Sequence, residues 1–141
     1  MKPYSLSEWS LICGVVSLEE DIGEIAIEPV GERYVPISGV DGTVTMVENK
    51  GADNHFVTIS TKGTSEVNAL MSAIYNLTRR SAGGVAGQFP FACKDRLGLS
   101  TLVSGTAMIT GWPARTATGT DPGDVKWKLF CEAPERFEGG N

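Results

Sequence analysis

The chain has 141 residues, 41% of them hydrophobic, with 17 acidic against 12 basic residues and a formal charge of -5. That length suits one domain spanning residues 1–141, is short for two, and carries enough apolar residues to exclude a wholly disordered chain. The acidic balance argues against a protein that grips the phosphate backbone, while suiting a surface that nucleic acid slides past.

Cys13, Cys93 and Cys131 are widely spaced, form no CxxC pair and read as free core thiols. Lys2 is followed by no apolar signal-like run, and no stretch approaches the ~20 residues of a membrane-spanning helix. The expected setting is therefore a reducing cytoplasm.

In chain order, a first strand is expected within residues 4–16, clearest at Leu11-Ile12-Cys13-Gly14-Val15-Val16, followed by an acidic turn at Glu19-Glu20-Asp21. Ile25 and Ile27 alternate with Glu24, Ala26 and Glu28 up to Pro29, the pattern of a half-buried strand. Residues 33–37 read as a weaker strand, with Pro36 marking an edge. Gly39-Val40-Asp41-Gly42 is a strong turn signal. Strands follow at residues 43–48 and 56–61, and the short reversal between them (residues 49–54) predicts that they pair as a hairpin.

One long helix is expected over about residues 65–80. Val67, Leu70, Met71, Ile74 and Leu77 recur at three- and four-residue spacing and mark its packed face. Thr64 is placed to cap its first turn, Arg79 and Arg80 suit its negative end, and Gly83 or Gly84 lets the chain leave. Asn68 and Thr78 fall off that face and are expected to tolerate alanine. Residues 81–87 read as small and flexible. Beyond them come a strand at 89–94 with Phe89, Phe91 and Cys93 inward, and a strand at 101–112 in which Gly105 and Gly111 signal a bulge or close neighbours. A polar loop at 113–124 precedes the cleanest period-two strand, where Val125, Trp127, Leu129 and Cys131 share one face. These elements predict a mainly β fold, an antiparallel sandwich or partly closed barrel with one packed helix.

Chemistry is sparse. His55 is the sole histidine and no G-x-S-x-G elbow accompanies it, so no catalytic set can be assembled. No zinc spacing, EF-hand or phosphate-binding glycine loop is present, and Trp9, Trp112 and Trp127 read as core or subunit-contact aromatics. The expectation is a protein that is not an enzyme and uses no cofactor or metal. Soft, glycine-rich edges leave open a self-assembling protein and a carbohydrate- or protein-binding sandwich.

An ordered set of segments narrows this choice. It runs through Ile25-Ala26-Ile27-Glu28, Gly39-Val40-Asp41-Gly42-Thr43-Val44-Thr45, Val57-Thr58-Ile59, Glu66-Val67-Asn68-Ala69-Leu70 and Phe89-Pro90-Phe91 with Lys94-Asp95. It continues through Lys126-Trp127-Lys128-Leu129 to the ending Phe137-Glu138-Gly139-Gly140-Asn141. Nearly the whole chain in this order resembles the tail tube proteins of contractile-tailed bacteriophages, whose relatives occur in type VI secretion and contractile injection particles. The resemblance implies homohexameric rings whose sheets join into an inner β-barrel, stacked into a hollow tube that conducts DNA during ejection. It implies further copies of the chain, a tail sheath protein, and baseplate and tail terminator proteins as partners. DNA would pass without sequence-specific binding, and the protein would reside in the virion after assembly in the bacterial cytoplasm. A tube-like terminator or baseplate adaptor, or a β-sandwich binding module, is the alternative role. Contacts between rings are expected from residues 40–53, among them Val40, Asp41, Gly42, Asn49, Lys50 and Asp53, and from residues 1–8 and 137–141. Strand alternation then offers Glu24, Glu28, Glu48, Thr58 and Ser60 as lumen-facing residues, an acidic wall that opposes adhesion of phosphate.

Overall fold

Alternation of apolar and polar residues builds nearly every element of the computed structural model, which describes residues 5–6, 9–13, 16–17, 22–95 and 97–139. The acidic turn at residues 19–21, residues 1–4 and 7–8 of the N-terminal segment, and the last two residues lie outside the described residues. Strands β1 (Trp9–Cys13), β2 (Val16–Ser17), β3 (Ile22–Pro29), β6 (His55–Lys62), β7 (Phe89–Asp95), β8 (Thr101–Ile109) and β9 (Asp124–Cys131) join in the order β2-β1-β7-β8-β9-β6-β3. Every neighbouring pair is antiparallel. A short β10 (Glu135–Phe137) adds beside the first half of β8, whose second half pairs with β9.

β8 is where the sheet folds over. Phe89 to Phe91 on β7 faces Ala107 to Ser104 on β8, one residue longer, which places a bulge at Gly105. On the other side of β8, Ala133 sits at φ 39 and breaks the chain between β9 and β10. The two halves thus enclose one core of Leu11, Val57, Ile59, Phe91, Leu102, Ile109, Trp127 and Leu129, with Cys93 and Cys131 among them. Burial pushes the Cys93 thiol up to about 12 and the Cys131 thiol up to about 11, so both stay protonated and unreactive. The side chain of Cys13 lies outside the described residues.

The helix α1 (Val67–Arg80) starts later than its capping signal suggested. Ser65 Oγ, not Thr64, accepts the Val67 N–H at 3.2 Å. Val67, Met71 and Thr78 are buried, while Leu70, Ile74 and Tyr75 pack partly against the core. Leu77, assigned to the packed face by spacing, is instead 52% exposed. At 3.6 residues per turn Leu77 sits roughly 120° around the helix from Met71, and Thr78 only about 20°. Thr78 meets its burial by donating its hydroxyl to Ile74 O at 2.9 Å.

Two other expectations are corrected at this helix. Residues 81–87 are not a loose spacer: Ala82–Gly87 forms a 3-10 segment, with Gly83 and Gly84 at positive φ. Gly87 lies so close to Thr78 that a Cβ there would overlap the Thr78 hydroxyl. Asn68 is not a free position either. Its Oδ1 accepts from Thr61 Oγ1 at 2.6 Å and from Trp127 Nε1 at 3.0 Å, and its Nδ2 donates to Lys62 O at 2.9 Å. One side chain therefore hooks the helix to two strands, and alanine there would orphan the Trp127 Nε1–H and leave the Thr61 hydroxyl only its longer bond to Val125 O at 3.4 Å.

The hairpin expectation also changes. β5 (Val44–Glu48) pairs with β4 (Tyr34–Ser38) and not with β6, which runs between β3 and β9. The cause is local. Gly42 at φ 86 closes a tight turn in which Gly39 N–H donates to Thr43 O at 2.7 Å. The segment Lys50–Asp53, read as a simple reversal, is a 3-10 turn that carries the chain away to β6.

Candidate functional site

The β4–β5 hairpin stands apart from the body as an arm, paired only with itself. Tyr34 faces Glu48, Val35 faces Val47, Pro36 faces Met46, Ile37 faces Thr45 and Ser38 faces Val44. Alternation then places Pro36, Val44 and Met46 on one face and Val35, Ile37 and Val47 on the other. All five residues of each strand are exposed, and Val40 at the tip is fully so. A two-stranded ribbon is marginal in water by itself, and one that is apolar on both faces is a surface awaiting cover.

Both ends of the arm are nonetheless shaped. At its base the Arg33 guanidinium bonds Glu48 Oε1 at 2.7 Å and Asp53 Oδ2 at 2.6 Å, and the two carboxylates hold Arg33 firmly protonated. Arg33 O also accepts from Asn49 N–H at 2.6 Å. At the tip, bonds from the Thr43 hydroxyl and then the Thr43 N–H hold the Asp41 carboxyl below its usual range, so the tip carries a fixed negative charge. Of the residues expected between rings, Val40, Asp41 and Gly42 form this tip, while Asn49, Lys50 and Asp53 lie at the base.

The second surface is the outer face of β3, β6 and β9. Cross-strand register sets Glu24, Ser60 and Lys126 in one row, Ala26, Thr58 and Lys128 in the next, and Glu28, Phe56 and Phe130 in the third. Lys128 Nζ lies 4.2 Å from the Phe56 ring centre, and Phe56 meets Phe130 edge-on at 5.5 Å. The acidic wall is corrected here: one row sets Glu24 with Lys126, the next carries Lys128 alone and the third Glu28 alone, so over the three rows the two glutamates are matched by two lysines and the face is balanced. Ser60, expected to be open, is only 8% exposed between its charged neighbours. Glu48 is not on this face at all, being ion-paired at the base of the arm.

The outer face of β1, β7, β8 and β10 differs. Ile12, Ala92, Val103 and Glu135 form one row, and Ser10, Lys94, Thr101 and Phe137 the next. Val103 and Phe137 are exposed, as is Ile12 at the margin.

No arrangement for chemistry emerges among the described residues. They contain no group of three or more His, Cys, Asp or Glu side chains placed to hold a metal. His55 is buried with both ring nitrogens engaged, Nδ1 at 2.6 Å from Asp53 O and Nε2 at 3.2 Å from Arg136 Nη1. Because the guanidinium can only donate, Nε2 accepts and Nδ1 carries the hydrogen. This histidine tethers β10 to the start of β6.

The chain shares its fold with tube and tube-end proteins of contractile injection systems. The PVC sheath/tube terminator of an extracellular contractile injection system, in its extended state, aligns with a TM-score of 0.68 at 8% identity, over 97% of this chain and 98% of that one. The tube-terminating cap of the anti-feeding prophage aligns at 0.66 and 10% identity, over 99% and 93%. A chain of the PVC sheath-tube complex in the extended state aligns at 0.63 and 11% identity, over 96% and 92%. No protein-family model matches the sequence, and no curated protein is similar to it.

The arm was partly visible beforehand, because its turn and both strands were marked by Gly39-Val40-Asp41-Gly42 and the flanking β-formers. Its isolation was not, since apolar alternation looks the same whether the cover is this chain or another. The lysines of the balanced face were legible in the β9 alternation, and only strand order could set them beside Glu24 and Glu28.

Proposed function

We propose that this protein is a non-catalytic ring subunit of a contractile-injection or phage-tail assembly, acting at the end of a tube as a terminator or cap. The observation that carries the reading is the arm, whose strands expose apolar side chains on both faces and gain a cover only from neighbouring subunits. Similarity to a terminator and a cap along nearly their full lengths favours the tube end over the repeating tube body. In the ring of six that the resemblance implies, the balanced face of Glu24, Glu28, Lys126 and Lys128 lines the lumen, and the arm reaches the next ring or sheath layer. A wall with equal numbers of both charges neither grips nor repels a passing polyanion, so DNA or a protein cargo can cross it. Sheath and tube subunits, and baseplate proteins at the far end, are its partners, and the assembled particle is its final location.

Negative-stain microscopy of the concentrated protein tests the role. A terminator gives single or paired rings of uniform diameter. Open-ended tubes that lengthen with concentration would reassign the chain to the tube body. A particle that stays monomeric, alone and with sheath and tube subunits present, would remove the reading altogether.

A further inference from the structure

We infer that the arm of one copy docks across the β1-β7-β8-β10 face of a second copy, with Ile37 and its neighbours seated on Val103 and Phe137. The inference rests on the assembly reading above and deepens it by naming the receiving surface. Two sheet faces are open to receive an arm, and they differ in the cost of covering them. The β3-β6-β9 face carries Glu24, Glu28, Lys126 and Lys128, whose charges would all lose water under an apolar ribbon. The β1-β7-β8-β10 face presents Ile12, Ala92, Val103 and Phe137 beside the uncharged Ser10 and Thr101, with only two charges, Lys94 on the inner strand β7 and Glu135 on the edge strand β10. Apolar cover therefore costs less on the second face, which carries two charges against four.

Dimensions and charge agree. A five-residue strand is about 17 Å long, and four strands spaced at ~4.8 Å measure about 14 Å across, so an arm laid across them spans this face. With the tip turned toward β1, Val40 reaches the edge of the sheet and the charge of Asp41 comes beside Lys94 on the adjoining strand β7, the one cation in the two rows that face outward. The contact joins different surfaces on the two copies. It is therefore head-to-tail, the kind that closes into rings or extends into stacks. The other apolar face of the arm, with Pro36, Val44 and Met46, remains for a third neighbour, so the arm is clasped between subunits.

Disulfide trapping between two full-length variants tests the contact directly. Ile37→Cys and Val103→Cys are prepared separately in a Cys13→Ser background, mixed in equal amounts under assembling conditions and oxidised. Cys93 and Cys131 are buried and stay out of the reaction. A reducible heterodimer is expected with Val103→Cys or Phe137→Cys as the partner, and none with Lys126→Cys on the charged face. Both sites are exposed, so loss of folding is not the expected cause of any failure. Trapping at Lys126, or no trapping at Val103 or Phe137 while sedimentation shows oligomers, overturns the docking and leaves the assembly reading intact. Absence of oligomers for the wild-type chain as well, alone and with sheath and tube subunits present, would overturn both.

Discussion

The double variant Ile37→Asp/Val47→Asp is expected to stay folded and to lose assembly. Ile37 and Val47 lie on the same face of the arm, 54% and 44% exposed, so neither contributes to the core of its own subunit. Exposed substitutions away from caps and networks shift stability by about 0.5 kcal/mol or less, and the melting temperature should barely move. In the assembled state the same positions are covered. Placing an unpaired carboxylate in a dry contact costs several kcal/mol, and even ~3 kcal/mol per arm weakens association by more than 100-fold. Sedimentation velocity should show the wild type as oligomers and the variant as monomer at equal concentration. Unchanged assembly would remove the arm from the interface, whereas a melt lowered by many degrees would mean that the arm packs on its own body.

The largest loss of stability is expected at Trp127. Its side chain is 2% exposed in the middle of β9, its Nε1–H is bound to Asn68 Oδ1, and its ring lies 6.3 Å from that of Trp112, which also meets Tyr75 edge-on. Sheet, helix and the loop after β8 all meet at this one residue. Trp127→Ala leaves a large cavity and an emptied bond, an expected cost of about 3–5 kcal/mol, which is a third or more of the total for many domains. Met71→Ala, fully buried on the facing helix, belongs in the same class at about 2–5 kcal/mol. Leu77→Ala should be close to silent although its spacing resembles that of Met71, because it faces solvent. Urea unfolding of the three variants checks the order. A costly Leu77→Ala beside a silent Met71→Ala would mean that the helix is rotated from the orientation described.

These contrasts show which features the sequence carried. β9 was readable because Val125, Trp127, Leu129 and Cys131 face one uniform core, so period two survives intact. The helix was readable in extent, but its face was misjudged by one residue at the C-terminal end. A buried threonine that bonds its own helix looks polar in a pattern, and an exposed leucine looks apolar. The pairing of β5 was misjudged because loop length was similar on both sides. The glycine turn at 39–42 and the 3-10 turn at 50–53 decided between partners, and their geometry depends on Gly42 and on the Arg33 contacts with Glu48 and Asp53. The charged face was legible strand by strand and not as a whole. Glu24 and Lys126 are far apart in sequence and become neighbours only through Ser60.

A cryo-EM reconstruction of the assembled protein tests the central claim most directly, that this fold works as a ring with its charge-balanced sheet turned inward. The account predicts a closed ring whose lumen is lined by Glu24, Glu28, Lys126 and Lys128, with the β4–β5 arm of every copy buried against its neighbours. A ring with those four side chains on its outer surface, or one in which the arms remain exposed to solvent, would contradict it.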